Sequence, residues 1–537
     1  MKARKDGRPT GARTSGLGRA SGGRALGLGF GRGFGHGFGR GLGHGFGRGG
    51  RPGAVDLRRD LAASVVVFLV ALPLCVGVAV ASGVPAELGL VTGIVGGLVT
   101  GMLPGSSLQV SGPAAGLTVL VFEAVREYGV SALGVLVLAA GLLQLLMGAL
   151  RFGRFFRAIS VAVVEGMLAG IGLVLIAGQL YAMADVKAPA GGLEKILGLP
   201  GMLAGTLGSE TSLIAFGLGA GTIAVLVLWN RLPKTVRAVP APLAAVALAT
   251  AVSALLALPV AKVEVKGLLD VIRMPSLDDV GQLAGAGAGV VGTVLAFTLI
   301  ASAESLFSAA AVDRLHDGPR TQYDRELMAQ GAGNTVCGLL GALPMTAVIV
   351  RSAANVQAGA RTKASRVLHG AWLLLFAALL PAALGVIPIA ALAGVLVYAG
   401  CKLIPVREMG VLWREHRGEV LILVTTAAAI VLVSMFEGVL IGLTLAVAKT
   451  AWDISHIRVE VVDKGSGPIQ AHLTGNATFL RLPKILETLE ALPQNRPIEL
   501  DLTGLRHLDH ACRTSLENWA AHHSAEGIEP VKVASTV

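Results

Sequence analysis

Charge is scarce in this chain. Only 15% of its 537 residues are Asp, Glu, Lys or Arg, against about a quarter in soluble domains, which excludes an ordinary water-soluble enzyme or binding module. Aromatic residues make up 4%, so Leu, Val, Ala and Gly carry the apolar content and helices must pack through small side chains. Cysteine is as sparse. Cys75, Cys337, Cys401 and Cys512 lie far apart, with no CxxC pair and no Cys/His cluster, which excludes a disulfide framework and a zinc site. No metal and no cofactor are expected, and any carbonic anhydrase-like zinc chemistry would have to come from another chain. No secretory leader is expected either, because the first long apolar run begins at Leu61 and has no cleavage-like end.

What the chain does have is long apolar runs. Hydrophobic residues reach 53% and the mean hydropathy is +0.70, which reads as an α-helical polytopic membrane protein. The positive charge sits apart from those runs. Residues 1–55 hold eleven Lys or Arg and one acid, Asp6, so this stretch supplies +10 of the formal +11. It is a Gly/Arg/His repeat with nothing to bury, expected to be a disordered cytoplasmic tail close to anionic lipid. Such a segment resembles RNA-binding RGG repeats, but no nucleic-acid partner is expected.

Apolar segments run near 61–81, 87–103, 112–125, 131–150, 158–181, 211–229 and 240–260, then near 284–312, 325–341, 344–355, 365–386, 389–404, 419–435 and 436–452. Two of them, 112–125 and 344–355, are too short or too polar to cross with ~20 apolar residues. Each is third in its set of seven, and each carries a proline, Pro113 or Pro344, expected at the first helical position. Short, Gly/Pro-interrupted segments at matching positions point to an inverted seven-plus-seven repeat of fourteen spans with a site at mid-membrane. The basic clusters agree with cytoplasmic termini. Arg151, Arg154 and Arg157; Arg231, Lys234 and Arg237; Arg361, Lys363 and Arg366; and Lys402, Arg407, Arg414 and Arg417 all fall inside. One loop, 261–283, strains this arrangement, since Lys262, Lys266 and Arg273 would face outward.

Two charges stand within the apolar runs. Helices that begin at mid-membrane present unpaired N–H groups and a positive dipole end, so ends at 113–116 and 345–348 could converge on a small anion. Arg351, about two turns past Pro344, would add a positive field to that pocket; the alternative is a pair with Glu304 or backbone carbonyls that holds helices together. Glu304, in VLAFTLIASAESLFSAAAV, could carry a proton or, with hydroxyl and carbonyl oxygens, ligate Na⁺. Both readings place Arg351 near Glu304. Asn334, in GAGNTVCG, is expected to bond backbone freed by glycines.

The stretches DLRRDLAASVVVFLVALPLCVGVAVASGVP, LQVSGPAAGLTVL and ESLFSAAAVDRLHDGPRTQYDRELMAQGAGNTVCGLLGALPMTAVIVRSAANVQAGARTKASRVLHG resemble the sulfate permease (SulP) family of anion transporters, over about 55–537. The resemblance implies core and gate domains, elevator-like alternating access, a homodimer and an anion between the third and tenth spans. It implies that Ala114, Ala115 and Gly116 from the first half-helix line the anion site with Thr346, Ala347 and Val348 from the second. Arg351 matches an arginine of many members. Glu304 and Ser308 match the cation-coupling positions of sodium-driven bicarbonate transporters, where an aspartate and a threonine stand. The Gly-Ala-Thr completing that sodium site reads Ala347, Val348 and Ile349 here, which removes a hydroxyl and favours H⁺ over Na⁺.

Residues 56–455 are then the transporter domain of a multi-pass protein of the inner (plasma) membrane. Residues 456–537 alternate strand-like and helical stretches and resemble the STAS domain that ends such proteins, in a shortened form. Where phosphorylatable relatives carry a serine, this chain reads Asp509, His510, Ala511. The expected function is secondary active transport of bicarbonate or sulfate, H⁺- or Na⁺-coupled, with an uncoupled exchanger or channel as the alternative. A scaffold built on the Gly/Arg tail would leave the intramembrane charges unexplained. A uracil- or xanthine-type carrier shares the architecture, but the SGPAAG and VIVRSAAN motifs favour inorganic anions.

Overall fold

A computed structural model describes residues 54–537 apart from 159, 234, 266, 286, 466, 494–495, 525–530 and 535–537. The Gly/Arg/His tail expected over 1–55 therefore lies outside the described residues, save its last two. These begin the first helix, α1 (Ala54–Ala81), which carries Pro73 in its interior. Helix α2 (Ala86–Val95) runs on into a π-helical stretch, Gly96–Thr100. The chain then extends as β1 (Ser111–Pro113), passes through a 3-10 turn, Ala115–Leu117, and becomes α3 (Thr118–Tyr128). Two long apolar helices follow, α4 (Val130–Ala149) and α5 (Val161–Met183). Short helices α6 (Gly192–Leu197) and α7 (Leu199–Leu207) lead to α8 (Glu210–Leu228) and α9 (Ala241–Leu255).

A second series of elements follows. Short α10 (Leu277–Gly285) precedes α11 (Ala288–Val312) and α12 (Tyr323–Leu339). An extended segment, β2 (Met345–Ala347), opens α13 (Ile349–Gln357). Then come α14 (Ala364–Leu379), α15 (Ile389–Leu403), amphipathic α16 (Val406–Glu415), α17 (Arg417–Leu432) and α18 (Met435–Ile454). Among the described residues six helices are long and apolar enough to cross a membrane: α1, α4, α5, α8, α11 and α18. Four shorter apolar helices accompany them.

β1 and β2 pair antiparallel, Ser111 opposite Ala347, Gly112 opposite Thr346 and Pro113 opposite Met345. This corrects the expected placement of the prolines. Neither starts a helix: Pro113 lies in β1 and Pro344 just before β2. A fixed φ near −65° suits an extended edge as well as a first helical turn, so proline alone did not decide between them. The helical turns begin at Ala115 and Ile349.

Side-chain size sets how the helices meet. α4 lies along α12, α1 along α14, and α5 between α15 and α17. The approach of the Gly96–Thr100 turn to α14 is the tightest kind, because Gly97 faces Gly370 and a Cβ on Gly97 would lie 2.4 Å from the Gly370 Cα. Without a hydrophobic drive between helices in lipid, such backbone-to-backbone packing supplies the attraction.

Residues 457–534 form a four-stranded sheet ordered β3 (Ile457–Val462), β4 (Ile469–Ala477), β5 (Ile498–Leu508) and β6 (Lys532–Ala534). β3–β4 is antiparallel; β4–β5 and β5–β6 are parallel, with crossover helices α19 (Leu482–Glu490) and α20 (His510–Ser524). Leu473, Leu500, Ile485, Leu489, Cys512 and Leu516 share its core. Asp509 caps α20, accepting from the Cys512 amide at 2.7 Å and from the Phe479 amide at 2.5 Å. The aspartate of the sequence motif thus ties two crossovers together.

The glycine contact gives a stability test. Gly97→Val forces backbone apart and should cost at least ~1–3 kcal/mol. Gly201→Ala in α7, with nothing within 4 Å of the new methyl, should leave stability unchanged or slightly raised. Thermal melting of the two purified variants beside the parent checks both.

Candidate functional site

A buried extended backbone has to find its hydrogen bonds inside the protein, and the buried β1–β2 ribbon does so largely with side chains. The Met345 N–H donates to Asn334 Oδ1 at 2.7 Å, while Asn334 Nδ2 donates to the Met345 carbonyl at 3.1 Å. The Ala347 N–H donates to Ser305 Oγ at 3.2 Å and the Val348 N–H to the Val110 carbonyl at 2.9 Å. On β1, Ser111 Oγ accepts from Gln330 Nε2 at 2.7 Å, and the Val110 N–H donates to Ser352 Oγ at 2.9 Å.

These bonds move the donor set of the second half-helix. Converging N–H groups were expected at 345–348, but those of Met345, Ala347 and Val348 are consumed within the protein. A helix start leaves four N–H groups without an intrahelical partner; at α13 the Val348 N–H is taken by Val110, and those of Ile349, Val350 and Arg351 make up the first turn. On the first half-helix Ala114 is extended and its carbonyl accepts from the Leu117 N–H at 3.1 Å. Ala115 and Gly116 open the turn there. Ala115 and Val348 are half-buried and Val350 is exposed, whereas Gly116, Thr346 and Ala347 are buried.

Glu304 of α11 reaches the first half-helix. A Cβ on Gly116 would lie 2.7 Å from Glu304 Oε1, so only glycine admits the carboxylate there. The Thr346 hydroxyl of β2 is its polar neighbour. The carboxylate Oε2 is covered and has no hydrogen-bond partner among the described residues. The sequence-derived residues Gly116, Thr346 and Glu304 therefore come together, with Ser308 buried one turn further along α11.

Arg351 goes elsewhere. It is 1% exposed; its Nη2 donates to the Pro113 carbonyl at 3.1 Å, and Nε and Nη1 have no hydrogen-bond partner among the described residues. The guanidinium fits under Gly112, where a Cβ would lie 2.2 Å from Nη1. Cys75 of α1 and His369 of α14 are the ionisable groups beside it. Among the described residues no ion pair joins it to Glu304, so the alternative of a direct Arg351–Glu304 salt bridge is not found. The carbonyl bond ties α13 to the strand that opens α3, and the cation remains without a carboxylate.

Sequence reasoning missed the polar stripe that holds this arrangement. Glu326, Gln330 and Asn334 recur every fourth residue on α12, which puts them on one helix face, and all three are buried. Glu326 accepts from the Ser106 N–H at 2.7 Å and from Gln330 Nε2 at 2.8 Å. The signal, three polar residues at i, i+4 and i+8, is in the sequence; only Asn334 is expected there to bond backbone, and it does so at Met345 of β2, not at backbone freed by the neighbouring glycines. Arg366 was likewise counted as a cytoplasmic loop charge. It is 2% exposed on α14 and donates to the Gln109 carbonyl at 3.3 Å and the Leu103 carbonyl at 3.0 Å, holding the segment that leads into β1.

Known proteins resemble this chain over most of its length. The model of the sulfate permease family matches residues 57–426. The putative sulfate transporter YvdB of Bacillus subtilis (strain 168) is 28% identical over 400 residues, 72% of each chain. The bicarbonate transporter BicA of Synechocystis sp. is 26% identical over 511 residues, 88% of this chain and 87% of its own. Among solved structures, the transmembrane domain of a cyanobacterium bicarbonate transporter BicA superposes with a TM-score of 0.60 at 21% identity, covering 74% of this chain and 98% of that one. The overall structure of SLC26A9 gives 0.74 at 14% identity, over 90% and 84% of the two chains. At those identities the structures speak for the fold, a helical membrane transporter fold. The family match spans most of the chain, and with the paired half-helices it leads to one conclusion: this is a multi-pass membrane protein that belongs to the sulfate permease family.

Proposed function

We propose that the chain is a secondary active transporter of a small inorganic oxyanion, sulfate or bicarbonate, working by elevator-like alternating access in the cytoplasmic membrane. One observation carries the reading. Two half-helices, α3 and α13, begin beside a shared β ribbon and offer the N–H groups of Ala115 and Gly116 and of Ile349 to Arg351, next to a buried guanidinium that has no carboxylate partner. Helix N-termini favour anions, and a buried cation without a counter-charge is costly unless an anion visits. The sulfate and bicarbonate transporters among the relatives support the same substrate class.

The finer reading extends from there. Fourteen membrane segments in a seven-plus-seven inverted repeat would divide into a core domain carrying both half-helices and a gate domain. Both termini would be cytoplasmic, the sheet of 457–534 would be a shortened STAS domain, and two copies would form the homodimer. Ala114, Ala115, Gly116, Thr346, Ala347 and Val348 would wall the anion site, with Arg351 as fixed positive charge.

Glu304 would couple transport to H⁺. It stands between Gly116 and Thr346, so it can exchange a proton beside the anion, and the side chains of Ala347, Val348 and Ile349 offer Na⁺ no oxygen. An uncoupled exchanger is the second reading, favoured by the unpaired Arg351.

Arg351→Ala removes a charged hydrogen bond worth ~1.5–3 kcal/mol, so apparent anion affinity should weaken at least about tenfold with folded protein still in the membrane. Uptake of labelled sulfate and bicarbonate into proteoliposomes measures this, and unchanged affinity would remove Arg351 from the site.

Glu304→Gln should abolish uptake driven by an inward proton gradient while exchange of one anion for another persists. Uptake that requires Na⁺ and ignores the gradient would overturn the proton reading. Concentrative uptake undiminished in the Gln variant would favour a different coupling group.

A further inference from the structure

The bonds of Asn334 have a polarity that its neighbours cannot reverse. The Met345 N–H can only donate and the Met345 carbonyl can only accept, so the amide between them must turn its oxygen to the first and its nitrogen to the second. Its other N–H then points to Gln144 Oε1 of α4 at 2.7 Å. That sets Gln144 in turn: its Nε2 donates to Ser302 Oγ of α11 at 3.1 Å, and the Ser302 hydroxyl donates to the Thr298 carbonyl at 2.5 Å. One directed chain of amides and a hydroxyl crosses from α11 through α4 and α12 to β2. Asn334, Gln144 and Ser302 are all buried.

Asn334 bonds both backbone groups of Met345 on the edge of β2 away from β1, where a third strand would otherwise lie. Met345 is two residues before Ala347 and four before the start of α13. Its backbone thereby fixes how the first-turn N–H groups of α13 are aimed. From this geometry we propose that Asn334 is a positioning residue for anion binding: its amide acts as a surrogate third strand that aims the N-terminus of α13. The proposal rests on the transport reading above and names the residue that sets the geometry of its site.

Asn334→Asp tests it, because its two protonation states differ in what they can donate. The neutral acid keeps an oxygen for the Met345 N–H and one O–H for the carbonyl or for Gln144. The carboxylate has no donor and sets negative charge against two acceptors. Reconstituted parent and variant are compared from pH 5.5 to 8.5 for uptake of labelled sulfate, bicarbonate and chloride. The expected result is a variant-to-parent KM ratio of about tenfold or more at the alkaline end, falling toward one at the acid end, with maximal rate much less affected. Gln144→Met keeps the Met345 clamp and should stay within about twofold of the parent KM throughout.

A flat ratio, or a Gln144→Met effect as large as that of Asn334→Asp, would overturn the positioning role and assign the chain to general packing. Failure to recover folded Asn334→Asp at acid pH would overturn it too, since the neutral acid reproduces the clamp. A parent protein that takes up none of the three anions would overturn the transport reading itself, and this role with it. A parent that transports while the variant is indistinguishable from it overturns the positioning role alone.

Discussion

Backbone amides in a hydrocarbon layer have no water to bond, and three-residue strands are too short to fold alone. β1 and β2 meet both conditions by pairing with each other and by borrowing side chains along their outer edges. Everything at the candidate site is referred to that ribbon. It sets where α3 and α13 begin, and its Pro113 carbonyl receives the Arg351 guanidinium. The glycines around it are spaces for function: Gly112 leaves room for the guanidinium and Gly116 for the Glu304 carboxylate. A methyl group at either position would meet a charged side chain at well under contact distance.

The charges are thus divided between the two half-helices. Arg351 belongs to α13 by sequence but bonds the strand that opens α3. Glu304 belongs to α11 and meets Gly116 at the start of the turn into α3 and Thr346 of β2, the strand that leads into α13. Separation of cation and carboxylate leaves each without its natural counter-charge. A salt bridge between them would satisfy both and leave little for a ligand to do.

The helices and the two interrupted segments were legible because apolar length and Gly/Pro punctuation are local signals. The start points of α3 and α13 were not, since extended backbone at Pro113 depends on a partner strand in the other half of the chain. The same holds for Arg351: its place on a helix was readable, but its acceptor, the Pro113 carbonyl, comes from long-range pairing. Glu326, Gln330 and Asn334 failed for another reason. Each is unremarkable alone, and only their common spacing of four reveals one buried face. Arg366 misled because a basic residue at a helix start normally stays in water, and here the Leu103 and Gln109 carbonyls, both distant along the chain, hold it inside.

The ribbon also has a history in each molecule. The Val110 N–H finds its acceptor on Ser352, 242 residues later in the chain. At synthesis rates of ~5–20 residues per second, the first strand waits on the order of ten to fifty seconds with its amides unmet. During that interval the segment is too polar to settle among lipid tails, so it must be sheltered by the insertion machinery or remain at the aqueous surface. The hydrogen bonds of the first strand are therefore completed only by chain made later, after an interval set by the distance between the two strands along the sequence.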